Sequence, residues 1–304
     1  MDRRAVLRGL AGAAALPAGG TRIAMAEPAM MTRPIPSTGE AMPVIGLGTW
    51  PVFDVGGDEA ARRPLREVVR RLADSGGRMI DTSPMYGRSE GVVGDLVAGL
   101  GVRDKVFLAT KVWITGRERG IAQMQRSAEL LKSPVIDLMQ IHNLLDWRTQ
   151  LATLRQMKAD GRLRYIGVTH YTTGALGELA RILETEDGID FVQLGYSLAT
   201  RDPEARLLPL AAQRGVAVIV NQPFERGDLF RAVRGTTVPD WAADFDCTSW
   251  AQLFLKYLLG DPAITVLIPA TDKPDHMADN LKAGYGRLPN ADQRERIRRL
   301  WDGL

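Results

Sequence analysis

Short apolar runs recur along this chain at a spacing of roughly 30 residues, the length of a strand–helix–strand unit. They begin at Val44 (VIGLGT), Met79 (MIDT), Val106 (VFLATKVW), Asp137 (DLMQIH), Tyr165 (YIGVTH), Phe191 (FVQLGY), Ala217 (AVIVN) and Thr265 (TVLIPA). Amphipathic segments fill the gaps, at 59–74, 90–100, 121–131, 150–160, 174–184 and 204–214, with later helices expected at 248–259 and 292–301. Gly161 and Gly215 stand where two of these helices would close before the next strand. Strands apolar on both faces, each followed by a helix, belong to a parallel sheet covered by helices. Eight of them predict an eight-fold parallel (β/α)8 TIM barrel, with an open doubly wound sheet as the alternative. Thr38-Gly39 predicts an N-terminal hairpin before the first strand, and the segment 292–301 an extra C-terminal helix.

The first 26 residues stand apart from this rhythm. Arg3 and Arg4 are followed by an Ala/Gly/Leu-rich stretch and by Ala24-Met25-Ala26, which outlines a twin-arginine export signal with a small-x-small cleavage site. The expected division is a signal peptide at 1–26 and one barrel domain at 27–304, placed in the periplasm after export in folded form. Removing four arginines and one acid takes the net charge from +3 to about zero, so the basicity belongs to the signal. No other basic run points to nucleic acid, and the apolar stretch of the signal is too short and Gly-rich for stable membrane insertion. Cys247 is the single cysteine, which excludes an intramolecular disulfide.

In a β/α barrel the chemistry collects at the C-terminal ends of the strands. The second strand ends in Asp81, with Tyr86 in the following loop. The third carries Thr110-Lys111 and then Trp113, the fourth ends in His142, and the fifth in Thr169-His170. A lysine in an otherwise apolar strand requires a partner, and Asp81 on the adjacent strand supplies the carboxylate. A lysine charge beside Tyr86 favours the phenolate and lowers its pKa, while a neutral imidazole at His142 completes a two-donor site for a carbonyl oxygen. The bland readings are a buried ion pair without a task and a histidine satisfied in the core. Gly46-Leu47-Gly48 is followed by Thr49-Trp50-Pro51, so it is no dinucleotide fingerprint of the G-x-G-x-x-G kind, and it reads as close backbone approach at a strand end.

GLGTW at 46–50, IDTSPMYG at 80–87, Thr110-Lys111, DLMQIH ending in His142 and IPAT at 268–271 together resemble the aldo-keto reductases, across nearly the whole chain after the signal. The resemblance implies hydride transfer from a nicotinamide cofactor to an aldehyde or ketone, without a Rossmann fold. Tyr86 would be the proton donor, Lys111 its activator, Asp81 the lysine's partner and His142 the orienter of the carbonyl. It implies Gly48, Thr49 and Trp50 at the nicotinamide ribose, and Thr169, His170 and Gln193 at the carboxamide. Asn221, Pro223 and Phe224 would follow, with Arg226 a candidate at the pyrophosphate. Thr271, Lys273 and His276 would meet a 2′-phosphate, and Asp279 and Asn280 the adenine. NADP(H) is the implied cofactor and NAD(H) the alternative, because Ala270 and His276 stand where the family often places basic residues. Trp50, Trp113 and Trp241 are expected to line the substrate cleft.

Other functions find less support. A metal-dependent hydrolase built on Asp81, His142 and His170 lacks an H-x-H on the first strand, so no metal site is expected. A glycosidase needs a second rim carboxylate. A barrel that binds a nicotinamide cofactor without turning it over, as a redox sensor or docking module, remains the main alternative.

Overall fold

The computed structural model describes residues 29–304; the expected signal at 1–26 lies outside the described residues. A hairpin of β1 (Thr32–Pro34) and β2 (Ala41–Pro43) comes first, turning at Thr38-Gly39 as its sequence requires. The alternation then begins with β3 (Leu47–Gly48), α1 (Glu59–Asp74), β4 (Met79–Asp81), α2 (Ser89–Leu100), β5 (Phe107–Val112), α3 (Arg117–Leu130) and β6 (Ile136–His142). It continues with α4 (Trp147–Ala159), β7 (Leu163–His170), α5 (Leu176–Thr185), β8 (Phe191–Gly195), α6 (Leu207–Arg214) and β9 (Ala217–Asn221). After β9 come α7 (Asp228–Ala232), α8 (Trp250–Leu259), β10 (Ile264–Leu267), α9 (Pro274–Lys282) and α10 (Ala291–Asp302). The helix expected at 204–214 is divided, a 3₁₀ turn at Asp202–Ala205 preceding α6. The ring of Pro209 clashes with a helical carbonyl four residues back, at Ala205, so the helix starts afresh at Leu207.

Strands β3 to β10 pair in parallel in chain order. Bridges Ile45↔Leu267 and Gly48↔Ala270 join the last strand to the first, closing the eight-fold barrel. The first strand is shorter than its apolar run because closure there is made by these isolated bridges. Glycine is needed at the seam: a Cβ on Gly48 would lie 2.7 Å from the Ile268 carbonyl oxygen, and one on Gly46 2.8 Å from that of Met79.

Side chains alternate between the barrel interior and the helical shell. Phe107, Ala109, Leu138, Tyr165, Phe191, Ala217, Ile219 and Val266 fill the lower interior, where Ile35 and Met42 of the hairpin are sealed in with them. Glu40 of the hairpin accepts from Arg78 (3.1 Å) and from the Tyr165 hydroxyl (2.7 Å), fastening this floor to the strands. The same two-residue period carries upward to Asp81, Lys111, Gln140, His142, Thr169, Gln193 and Asn221. Polar side chains therefore form the top layer of an apolar stack.

Candidate active site

Lys111 is buried, 1% exposed at its side chain, and so is Asp81 at 4%. The Lys111 ammonium donates to Asp81 Oδ1 at 2.6 Å and to the Thr82 carbonyl at 2.8 Å, while Gln140 Nε2 donates to Asp81 Oδ2 at 3.1 Å. Both carboxylate oxygens are thus occupied, which offsets the cost of burying the charge. Lys111 Nζ lies 5.0 Å from the centroid of the Tyr86 ring. Burial alone would lower the Lys111 pKa, but Asp81 and then Tyr86 hold it above the ordinary lysine value.

Tyr86 leaves the β4 end through a turn in which its N–H donates to the Ser83 carbonyl at 3.0 Å. Burial pushes the phenol above its ordinary pKa of 10.0, with Lys111 pulling in the opposite direction. The lysine acts in the sense expected from the sequence, but desolvation outweighs it, so the phenol carries its proton at neutral pH. The His142 ring packs edge-on to Tyr86, with centroids 5.7 Å apart at 85°. Burial, then the charges of Lys111 and His170, lowers the imidazole pKa to about 3, which makes it neutral. Its Nδ1 lies 2.9 Å from Ser83 Oγ, which accepts the Met85 N–H at 3.3 Å. The tautomer in which the serine hydroxyl donates to Nδ1 is the one that puts the imidazole proton on Nε2, where it can serve as a donor.

A cavity of about 930 Å³ opens over these groups. Of the expected contacts, Gly48, Thr49, Trp50, Asp81, Tyr86, His142, Thr169, Gln193, Asn221, Pro223, Phe224, Thr271, His276, Asp279 and Asn280 line it. Lys111 sits behind Asp81 and Tyr86. Thr169 Oγ1 donates to Gln193 Oε1 at 2.9 Å, leaving the buried Gln193 Nε2 without a partner; Asn221 Oδ1 is also buried and unpaired. One free donor and one free acceptor on neighbouring strand ends fit the carboxamide of a nicotinamide ring. The loops above are held in left-handed backbone at Asn143, Leu144, Gln222, Glu225 and Arg226.

Three expected contacts lie off the cavity wall, and a fourth, Trp113, stands at its rim. His170 does not line the cavity: Tyr165 and Thr169 face inward, so strand alternation turns His170 outward, where it stacks on Tyr171 (5.6 Å) and its Nδ1 accepts the Thr172 N–H (3.2 Å). Trp241 packs against Phe245 and beneath Arg296, away from the cavity wall. Lys273 is exposed and off the wall, its backbone N–H bonded to Thr271 Oγ1. Trp113 is 41% exposed and stands at the rim, its ring 6.4 Å from that of His142. Arg226, the pyrophosphate candidate, also lines the wall, which gains Tyr171, Phe230 and Trp250, the last from the first turn of α8. Gln140 was accessible to strand alternation, since it shares parity with His142; Ser83 has no comparable signal.

A family model described as the aldo/keto reductase family matches residues 44–302. The chain belongs to the aldo/keto reductase family. A methylglyoxal reductase of Escherichia coli (strain K12) is 28% identical over 247 residues, covering 79% of this chain and 84% of the relative. An NADH-specific methylglyoxal reductase of the same organism is 27% identical, covering 85% and 95%. A Klebsiella pneumoniae aldo-keto reductase solved in complex with NADPH superposes with a TM-score of 0.72 at 27% identity, covering 86% of this chain and 92% of its own. This aldo/keto reductase shares the closed barrel of that structure, and its cavity lies over the C-terminal strand ends.

Proposed function

We propose that this barrel is an NAD(P)H-dependent carbonyl reductase in which Tyr86 is the general acid. The observation that carries the reading is the Tyr86 phenol and the His142 imidazole, packed edge-on and facing one cavity, backed by a buried lysine–carboxylate pair. Gln193 Nε2 and Asn221 Oδ1 would hold the carboxamide and Trp50 would flank the ring. A reduced nicotinamide bound there supplies the hydride. Tyr86 donates its hydroxyl proton to the substrate oxygen as negative charge develops on it, and His142 Nε2–H donates a hydrogen bond to the same oxygen. Lys111 stabilises the phenolate that remains, and Asp81 and Gln140 keep the ammonium in place. The relatives' names make small dicarbonyl compounds the first substrates to test. Purified protein mixed with reduced dinucleotide and a panel of dicarbonyls and aldehydes should consume the cofactor only when a carbonyl is present. Tight binding without oxidation by any member of the panel would instead support a sensor.

We also propose that residues 1–26 export the folded enzyme through the twin-arginine route, on the strength of Arg3-Arg4, the apolar stretch and Ala24-Met25-Ala26.

A further inference from the structure

Ser83 lies fully buried in the loop that leaves β4, between Asp81 and Tyr86. Pro84 follows it and favours extended backbone at Ser83, which limits where its side chain can point. This one residue touches both ring groups of the site. Its carbonyl accepts the Tyr86 N–H at 3.0 Å, which fixes the turn that presents the phenol. Its hydroxyl lies 2.9 Å from Nδ1 of His142, itself buried at the end of β6.

A buried hydroxyl has a proton to place as well as lone pairs to fill. Among the described residues Ser83 Oγ has two hydrogen-bond neighbours, the Met85 N–H at 3.3 Å and His142 Nδ1. An amide N–H only donates, so Nδ1 is the one neighbour that can accept the serine proton. Were Nδ1 itself protonated, it and the Met85 N–H would both point at Oγ, and the hydroxyl proton would be buried without an acceptor. Leaving a buried donor unsatisfied is costly, and folded chains avoid it.

The placement of that proton matters for the chemistry. A neutral imidazole has one N–H, and a carbonyl oxygen offers only lone pairs. Protonated at Nε2, His142 can donate to the substrate oxygen beside Tyr86; protonated at Nδ1, it would meet that oxygen lone pair to lone pair. Building on the reductase reading, we infer that Ser83 is a positioning residue for carbonyl reduction: its hydroxyl holds the His142 proton on Nε2, towards the substrate oxygen, while its carbonyl sets the Tyr86 turn alongside.

Nitrogen NMR of protein carrying isotope-labelled histidine tests this without turnover. The chain has three histidines, so the signals that remain when His170→Gln and His276→Gln are combined belong to His142. Wild-type protein should show a protonated Nε2 and an unprotonated Nδ1 at His142, and Ser83→Ala should show both tautomers. Losing a whole donor to a developing oxyanion costs ~10²- to 10³-fold, so Ser83→Ala, which keeps the imidazole, should lose about 10-fold in kcat at unchanged dinucleotide affinity. In a His142→Ala background the same serine change should cost nothing further. A proton on Nδ1 in the wild-type protein overturns the inference. So does a Ser83→Ala variant that keeps the wild-type tautomer or the wild-type rate, or one that is equally impairing without His142. If wild-type protein binds dinucleotide but reduces no carbonyl, the reductase reading fails instead, and the NMR result still decides the tautomer. Because the wild-type spectrum can overturn the inference by itself, a variant that fails to fold leaves the test valid.

Discussion

Asp81→Asn should unfold this barrel more easily than most single changes, because it leaves the Lys111 ammonium buried without its carboxylate. Removing one partner of such a pair costs about 3–5 kcal/mol, which denaturant unfolding would read directly. Adding Lys111→Met to that variant should recover much of the stability while the carbonyl reductase activity stays lost. The two ring groups at the site give a pH signature. His142 is neutral until the pH approaches about 3, against an ordinary value of 6.5, so the unfolded chain takes up this proton first as acid is added. Its contribution therefore makes stability fall as pH drops from 6.5 towards 3, with the loss complete below that. Tyr86, raised by burial, keeps its proton to a pH above 10.0. The rate of reduction should then show no titration of either group between about pH 5 and 8, measured as kcat against pH.

At the level of elements, the seam between β3 and β10 is carried by the isolated bridges Ile45↔Leu267 and Gly48↔Ala270. Gly48→Ala would push a methyl group to 2.7 Å from the Ile268 carbonyl oxygen. A loss of about 1–3 kcal/mol is expected in thermal or denaturant melts, with weakened dinucleotide binding because Gly48 also lines the cavity. The periodic strands and helices were legible because burial on both strand faces leaves continuous apolar runs. The placement of individual rim residues was less so. Alternation from Tyr165 through Thr169 already dictates that His170 points outward, yet a polar residue at a strand end reads as rim by proximity alone. Trp241 departs from expectation for a different reason: it belongs to a 3₁₀ segment, Asp240–Phe245, whose packing under Arg296 is set by α10, far along the chain. Trp250 reaches the wall instead, from a helix start that sequence periodicity recovered only as a helix.

For the molecule as a whole, the hairpin floor, the closed sheet and the polar top layer produce one apolar stack open at a single end, which is where chemistry can take place. If the first 26 residues act as an export signal, changing Arg3 and Arg4 to lysine should retain the protein in the cytoplasm, whereas the wild-type chain appears in the periplasmic fraction. The proposed chemistry stands most directly on the Tyr86 hydroxyl. The decisive measurement is the single-turnover rate of hydride transfer to a good carbonyl substrate by Tyr86→Phe, with dinucleotide affinity measured on the same preparation. A general acid is worth ~10²- to 10⁴-fold, so a loss of that size at unchanged dinucleotide affinity is predicted. Hydride transfer at the wild-type rate in Tyr86→Phe would contradict that role.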